Sequence, residues 1–284
     1  MRRLLLPSAA LLGLLCAVGV IGGLLPALPT VPAAVTLLLA LSIAAASTPS
    51  WRLFGPALVR VADAERVALT FDDGPDPDGT PALLDALDAA GMKATFFAVG
   101  ERAQQHPDLL RDIAARGHQV GNHSMHHRWP AIMSAAGARR ELQEAQRVLG
   151  ELLPTPPTLY RPPIGLVSPF VFQAAEEAGL SLAAWSLRTL DGRQGDPAAL
   201  LRRLEGVRGG DVALLHDGRG PHGRIPAAEA AAEIVALLQG KGLRSVTMDE
   251  LFGPQPAARS YAVAVGHIVR VALLLLLASA FLAP

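Results

Sequence analysis

The sequence predicts an α/β protein built on a parallel sheet or barrel. Short apolar runs alternate with longer segments of helical periodicity along the middle of the chain. The short runs lack apolar–polar alternation, which indicates strands buried on both faces, as in a parallel sheet covered by helices. Polar clusters follow several of these runs, and in a parallel barrel the carboxyl ends of the strands converge on one mouth.

Each predicted element follows from its own pattern. Continuous apolar runs predict strands over residues 67–71, 94–97, 182–186, 212–215 and 244–246. Apolar residues spaced three and four positions apart predict helices over 81–90, 107–115, 138–152, 197–204 and 227–238. The order of these elements is the strand–helix alternation expected of parallel units.

Composition narrows the possible classes of function. The 284 residues include 25 basic and 25 acidic side chains. A general nucleic-acid-binding protein needs a basic surface, so no nucleic-acid partner is expected, and nothing indicates a protein partner. The single cysteine, Cys16, excludes an intramolecular disulfide and a cysteine-based metal site.

Apolar residues concentrate at the two ends of the chain. Residues 4–51 contain no charged residue or histidine, which leaves room for two membrane helices of roughly 20 residues each. The stretch near the C-terminus includes His267 and Arg270, so it either spans the bilayer or lies in its interface. We therefore expect an integral protein of a bacterial-type plasma membrane, in contact with lipid. The sequence does not decide on which side of the membrane the globular domain lies. Its predicted parts are a membrane anchor over 1–50, a linker over 51–65, a globular domain over 66–252, a linker over 253–260 and an apolar helix over 261–284.

Two clusters contain residues suited to metal chemistry. Asp72 and Asp73 are adjacent carboxylates at the end of a predicted strand, and adjacent side chains diverge, so the pair can serve two roles. His123 and His127 are four residues apart, which on a helical turn puts both imidazoles on one face. Two histidines need a third ligand for an open zinc site, and either aspartate could supply it.

Two further positions are weak signals by themselves. Arg161 precedes two prolines, and His216 ends a predicted buried strand. Alone, the first also fits a solvated arginine and the second a core histidine. Of the other histidines, His118 is expected to be structural and His126 to point away from its neighbours.

Together these segments resemble the NodB-type polysaccharide deacetylases, carbohydrate esterase family 4. The shared motifs, in order along residues 66–252, are Thr70-Phe-Asp-Asp-Gly-Pro75, His123-Ser-Met-His-His127, Arg161-Pro-Pro-Ile-Gly165 and Leu214-Leu-His216. The resemblance implies a distorted (β/α) barrel of the NodB type, flanked here by apolar membrane helices.

A fourth family motif, D-x-x-D-W, departs from the pattern in this chain. Arg188 stands where the family has its first aspartate, and Gly192 stands where it has tryptophan, whereas Asp191 is retained. Ile164 replaces a frequent aromatic residue of the third motif. These changes affect the expected choice of sugar more than the expected chemistry.

The resemblance implies a role for each residue of the site. Asp73, His123 and His127 would bind one divalent metal ion, Zn²⁺ first and Co²⁺, Ni²⁺ or Mn²⁺ as alternatives. The expected acid–base groups are Asp72 as general base, Arg161 as its partner, His216 as general acid and Asp191 as the carboxylate that holds it. The residues expected to contact the substrate are Pro163, Ile164, Leu214 and Trp185.

The implied function is metal-dependent N-deacetylation of an N-acetylated amino sugar in a polysaccharide or cell-envelope glycan. One alternative within the class is a deacylase or deformylase of a lipid-linked amino sugar at the membrane surface. An alternative of another class is an inactive, sugar-binding membrane protein.

Overall fold

The computed structural model describes residues 56–128, 132 and 134–253, all within one compact unit, Ala46–Tyr261. Its strands all pair in parallel. In chain order they are β1 (Arg66–Asp72), β2 (Thr95–Ala98), β3 (Gln119–Asn122), β4 (Leu159–Tyr160), β5 (Ser181–Leu182), β6 (Leu187–Arg188), β7 (Val212–His216) and β8 (Arg244–Ser245).

Helices connect most of the successive strands. They are α1 (Thr80–Ala89), α2 (Gly100–Gln105), α3 (Pro107–Ala115), α4 (Ala135–Leu152), α5 (Pro169–Glu177), α6 (Asp191–Gln194), α7 (Pro197–Leu204), α8 (Pro226–Glu229), α9 (Ala231–Gly240) and α10 (Met248–Phe252). A single 3-10 turn, Pro163–Gly165, follows β4.

The strands form an open half-barrel. Their order across the sheet is β5-β4-β3-β2-β1-β7-β6, and β8 pairs with the beginning of β1. This arrangement confirms the predicted parallel α/β class. It places β1 at the centre, between β2 and β7, so the residues that end β1 lie between the ends of two other strands.

Both faces of β1 are buried, which explains the absence of alternation in its sequence. Leu69 and Phe71 belong to the core formed with the surrounding helices. Ala68, on the other face, belongs to a second apolar cluster with Phe97. The Phe71 ring stacks on Phe96 of β2 at a centroid distance of 5.0 Å. Full burial of each such side chain stabilises the fold by roughly 1.5–3 kcal/mol.

Several predicted elements differ from those observed. The helices predicted over 107–115 and 197–204 have the predicted bounds. Of the strand predicted over 182–186, only Leu182 belongs to β5, and β6 begins at Leu187, beyond the predicted end. Ala183 instead pairs with Leu58 in an isolated parallel bridge. Similarly, the helix predicted over 227–238 is interrupted at Ala230, between α8 and α9.

The expected location in the plasma membrane requires correction. Within the part of the chain that the structure describes, no helix has both the length and the apolar character needed to cross a bilayer. The membrane helices assigned to 1–50 and 261–284 lie outside the described residues, so the structure does not support them.

Candidate active site

The strand ends bring the polar motifs to one cleft. Asp72 and Asp73 lie at the end of β1, and His216 ends β7 in register with Asp72. His123 follows β3, and Arg161 follows β4. The cleft at this mouth has a volume of about 540 Å³, and its lining includes both aspartates and His216.

Three side chains converge on one point of this cleft. The Oδ1 atom of Asp73 lies 3.1 Å from Nε2 of His127 and 3.4 Å from Nε2 of His123. One ligand atom from each of the three side chains lies within 4.8 Å of the others. Two imidazole nitrogens and one carboxylate oxygen are a donor set that suits Zn²⁺ with an open coordination position.

The hydrogen bonding of these three side chains is compatible with a cation bound between them. The Oδ1 atom of Asp73 is buried and accepts no well-aligned hydrogen bond among the described residues. His123 Nδ1 donates to the carbonyl oxygen of Arg161 at 2.7 Å, so Nε2 is the ring nitrogen that faces Asp73 and would bind a cation. Burial raises the pKa of Asp73, but the nearby imidazoles outweigh it and hold the pKa below its usual range, so this carboxylate is ionised.

The two histidines lie on a loop, which corrects the expected helical turn. Ser124 and His127 have positive φ angles of 68° and 53°. The loop is closed by hydrogen bonds: Ser124 N–H donates to Asn122 Oδ1 at 2.9 Å, and His127 N–H donates to Ser124 Oγ at 3.1 Å. His126 also lines the cleft, but its ring is bound to Glu141, with 3.0 Å between its Nδ1 and Oε1. The imidazoles of His123 and His127 meet with 5.0 Å between centroids.

Asp72 is held by a buried arginine. Arg161 Nη1 donates to Asp72 Oδ1 at 2.7 Å and to Thr70 Oγ1 at 2.8 Å, and Nη2 donates to the carbonyl of Ala184 at 2.9 Å. Its guanidinium lies 4.1 Å from the ring centroid of Phe97. Burial lowers the pKa of Arg161 and Asp72 opposes this, but an arginine stays charged in proteins. This contact fixes the orientation of the Asp72 carboxylate and leaves Oδ2 toward the cleft side, 3.7 Å from His123 Nε2.

His216 faces the cleft from the other flank. The fully buried Asp191 binds it twice, at 2.9 Å to Nδ1 and at 2.9 Å to its backbone N–H. Thr189 Oγ1 donates to the same carboxylate at 2.8 Å. Burial lowers the pKa of His216, but the hydrogen bond and charge of Asp191 outweigh it and raise the pKa to about 9. The imidazole is therefore protonated at neutral pH.

The residues expected to contact substrate occupy different positions. Ile164, Trp185 and Leu214 line the cleft, whereas Pro163 is buried and does not. Ile164 is 55% exposed and has a φ of 53°, which a β-branched residue rarely adopts. Strained backbone of this kind is typical of functional sites.

Sequence reasoning missed one buried carboxyl group beside the site. Asp217 follows His216, and Thr80 Oγ1 donates to its Oδ2 at 2.6 Å. Burial raises the pKa of Asp217 to about 7. Its side chain lies directly against Gly74, where even a methyl group would collide with it. The sequence offered one signal for Asp217, which is that it directly follows His216 of the last family motif.

Fold and site together define a class of protein: a parallel (β/α) barrel enzyme with a candidate cation triad between two acid–base pairs. Comparisons with known proteins agree. A family model described as polysaccharide deacetylase matches residues 60–183. The chain is 35% identical over 189 residues to a peptidoglycan-N-acetylglucosamine deacetylase of Bacillus cereus, covering 65% of this chain and 87% of that protein. The chain belongs to the polysaccharide deacetylase family.

A chitooligosaccharide deacetylase and a peptidoglycan deacetylase of known structure are also similar to this chain. A chitooligosaccharide deacetylase of Sinorhizobium fredii is 40% identical over 163 residues, which is 56% of this chain and 74% of that protein. The structure of the peptidoglycan deacetylase PdaC from Bacillus subtilis matches with a TM-score of 0.61 and 30% identity, covering 66% of this chain and 90% of that one. The predicted family and the predicted class of enzyme, a hydrolase of linear amide bonds, are confirmed.

Proposed function

We propose that this protein is a metal-dependent N-deacetylase of a glycan that contains N-acetylated amino sugar. The observation that carries the proposal is the convergence of Asp73, His123 and His127, whose ligand atoms lie within 4.8 Å of one another. The donor set favours Zn²⁺, with Co²⁺, Ni²⁺ or Mn²⁺ as alternatives. The relatives named for peptidoglycan and chitooligosaccharide support an N-acetylglucosamine unit as the substrate.

A divalent cation bound by the triad supplies Lewis acidity, which polarises an amide carbonyl and acidifies water. Asp72 then acts as general base: its Oδ1 is occupied by Arg161, and its Oδ2 takes a proton from the attacking water. The oxygen of that water adds to the acetyl carbon. The N–H of Ile164, in the turn that lines the cleft, stabilises the resulting oxyanion.

His216 completes the reaction from the opposite flank. Because Asp191 occupies Nδ1, the second ring nitrogen is free to donate its proton to the sugar nitrogen. The C–N bond then breaks, and acetate and a free amine leave. Leu214 and Trp185 contribute apolar surface to the cleft in which the acetyl group lies.

Two earlier alternatives lack supporting observations. The similar proteins are named for polymeric or oligomeric glycans, and nothing in the described residues favours a lipid-linked substrate. An inactive sugar-binding protein would tend to lose part of the acid–base machinery. In this chain Asp72 and His216 are both present, and each contacts its expected partner.

Three variants test the proposal in one experiment. The protein is loaded with Zn²⁺, and its metal content is measured by mass spectrometry together with acetate release from chitotetraose. His127→Ala should lose both metal and activity. Asp72→Asn should keep the metal and release acetate roughly 10²–10⁴-fold more slowly. His126→Ala, on the same loop but directed to Glu141, should keep the metal. Full metal content and activity in His127→Ala would contradict the assignment.

A further inference from the structure

Four arginines line the cleft, and two of them already have partners. Arg219 donates to the carboxylate of Asp78 and to the carbonyl of Gly223, and Arg102 lies 3.9 Å from Asp76. The other two, Arg188 and Arg193, also line the cleft. Within the part of the chain that the structure describes, neither has a carboxylate partner or a side-chain hydrogen bond.

The fold holds these two arginines close to the proposed general acid. Arg188 ends β6 beside Leu214 of β7, the strand that His216 terminates. Its guanidinium lies 5.6 Å from the ring centroid of Trp185, which favours an ordered cation over the aromatic face. Arg193 is on the one-turn helix α6, whose first residue, Asp191, holds His216.

The acidic side chains of the cleft do not pair with these two arginines: Asp72 is bound by Arg161, and Asp73 faces the two imidazoles. Asp191 is fully buried and pairs with His216, so it does not form an ion pair with either arginine. The exposed Glu101 also lines the cleft, but it follows β2, three strands from β6. Unpaired guanidinium groups favour carboxylates, which match their planar, two-pronged donor geometry.

We propose that Arg188 and Arg193 form a subsite for a carboxylate carried on the glycan, next to the N-acetylated sugar that is cleaved. The inference rests on the proposed deacetylase function and specifies its substrate: an acidic glycan over a neutral one. Because Arg188 stands where the resembled family has aspartate, the position has the opposite charge in this chain. A carboxylate could belong to a sugar acid or to a peptide attached to it.

The test uses glycans that differ in the charge of their lactyl groups. The first is an alternating tetrasaccharide of N-acetylglucosamine and N-acetylmuramic acid, whose lactyl group ends in a carboxylate. The second is its lactyl carboxamide, which is neutral and nearly the same shape. A third has alanine amide-linked to the lactyl group, which moves the carboxylate outward. Steady-state kcat/KM is measured with zinc-loaded full-length protein, and Kd is measured in a His216→Ala background to prevent turnover.

The expected result is a preference of about tenfold for a carboxylate-bearing glycan over the carboxamide, in kcat/KM or in Kd. That ratio should fall to within twofold of unity in the double variant Arg188→Ala/Arg193→Ala and should decrease with added salt. Arg203→Ala is the control, since Arg203 is exposed on α7 and does not line the cleft, and it should keep the wild-type ratio. A larger preference for the alanyl glycan would assign the carboxylate to a peptide, and a larger preference for the lactyl acid would assign it to the sugar.

A ratio near unity in the wild type, or one that is unchanged in the double variant, overturns the subsite. Chitotetraose separates this failure from failure of the proposed function. If chitotetraose is deacetylated while the charge ratio stays near unity, the function stands and the subsite falls. If no glycan releases acetate, the proposed function falls, and the Kd ratio still decides whether the two arginines bind a carboxylate.

Discussion

At the scale of single residues, the two adjacent aspartates of the site differ in the side chains that they contact. Asp72 is bound by Arg161, whereas Asp73 faces two imidazoles. The sequence predicted that the pair would diverge, but it left open which aspartate would meet the histidines, and only the resemblance implied Asp73. The contacts of Arg161 depend on the positions of β1, β4 and the segment before β6, which no local pattern encodes.

His216 carries a residue-scale prediction about pH. A general acid must hold its proton, so activity falls as pH rises through its pKa. Asp191 raises that pKa to about 9. Asp191→Asn removes the charge, so the pKa of His216 should fall and the alkaline limb of kcat/KM against pH should move down by about one unit or more.

The control for this prediction is Asp108→Asn, an exposed carboxylate on α3 that pairs with Arg111. Its alkaline limb should coincide with that of the wild type. An unmoved limb in Asp191→Asn would show that another group sets the alkaline limit.

At the scale of elements, the turn after β4 is shaped by a glycine. Gly165 has a φ of 70°, and a methyl group there would collide with the indole of Trp185. The turn can therefore bring Ile164 to the cleft only if position 165 has no side chain. Gly179 has nearly the same φ, 71°, but open space around it.

This pair of glycines gives a matched prediction. Gly179→Ala incurs only the backbone cost of a left-handed alanine, about 1–2 kcal/mol of unfolding free energy. Gly165→Ala should lose that amount plus roughly 1–3 kcal/mol from overpacking against Trp185, and it should also lower kcat/KM. Urea unfolding and acetate release measure the two effects. Equal losses of unfolding free energy in both variants would mean that the Trp185 side chain moves aside without an energetic cost.

The loop that holds the histidines shows where sequence reasoning failed at this scale. Spacing of four residues predicted a helical turn, but His127 and Ser124 adopt positive φ. The hydrogen bond from Ser124 N–H to Asn122 Oδ1 at the end of β3 competes with helix formation. Both geometries bring the two imidazoles close together, so their proximity does not depend on the helical turn that the spacing suggested.

At the scale of the whole molecule, stability should depend on His118. Its ring is buried and contacts Phe96, and Ala94 N–H donates to its Nδ1 at 3.2 Å. Burial, with a further contribution from Lys93, lowers its pKa from 6.5 to about 4. Protonation therefore favours the unfolded chain. The stabilisation is complete above pH 6.5 and is lost as pH falls through about 4.

The prediction concerns the slope of stability with pH. Between pH 7.5 and pH 5, the wild type should lose roughly 2 kcal/mol more unfolding free energy than His118→Gln. Urea unfolding at the two pH values measures the difference. His118→Asn also removes the titrating group and should flatten the dependence to the same degree. Parallel slopes for the wild type and both variants would exclude His118 as the cause.

Much of the fold could be predicted because its central strands and long helices carry strong local signals. Predicted strands 67–71 and 212–215 correspond closely to β1 and β7. The strands β3 and β4 could not be predicted, since β3 has the sequence Gln-Val-Gly-Asn without an apolar run and β4 is only two residues, Leu159–Tyr160. The unpaired state of Arg188 and Arg193 was equally invisible, because it depends on which acidic groups lie nearby in space.

Arg161 serves the site through two chemically independent groups. Its guanidinium binds Asp72, and its carbonyl oxygen accepts the hydrogen bond from His123. Mutation can change the first group but leaves the second in place at every amino acid. A saturation scan of position 161 would therefore report only the loss of the guanidinium, and the contribution of the carbonyl to the orientation of His123 would remain hidden from it.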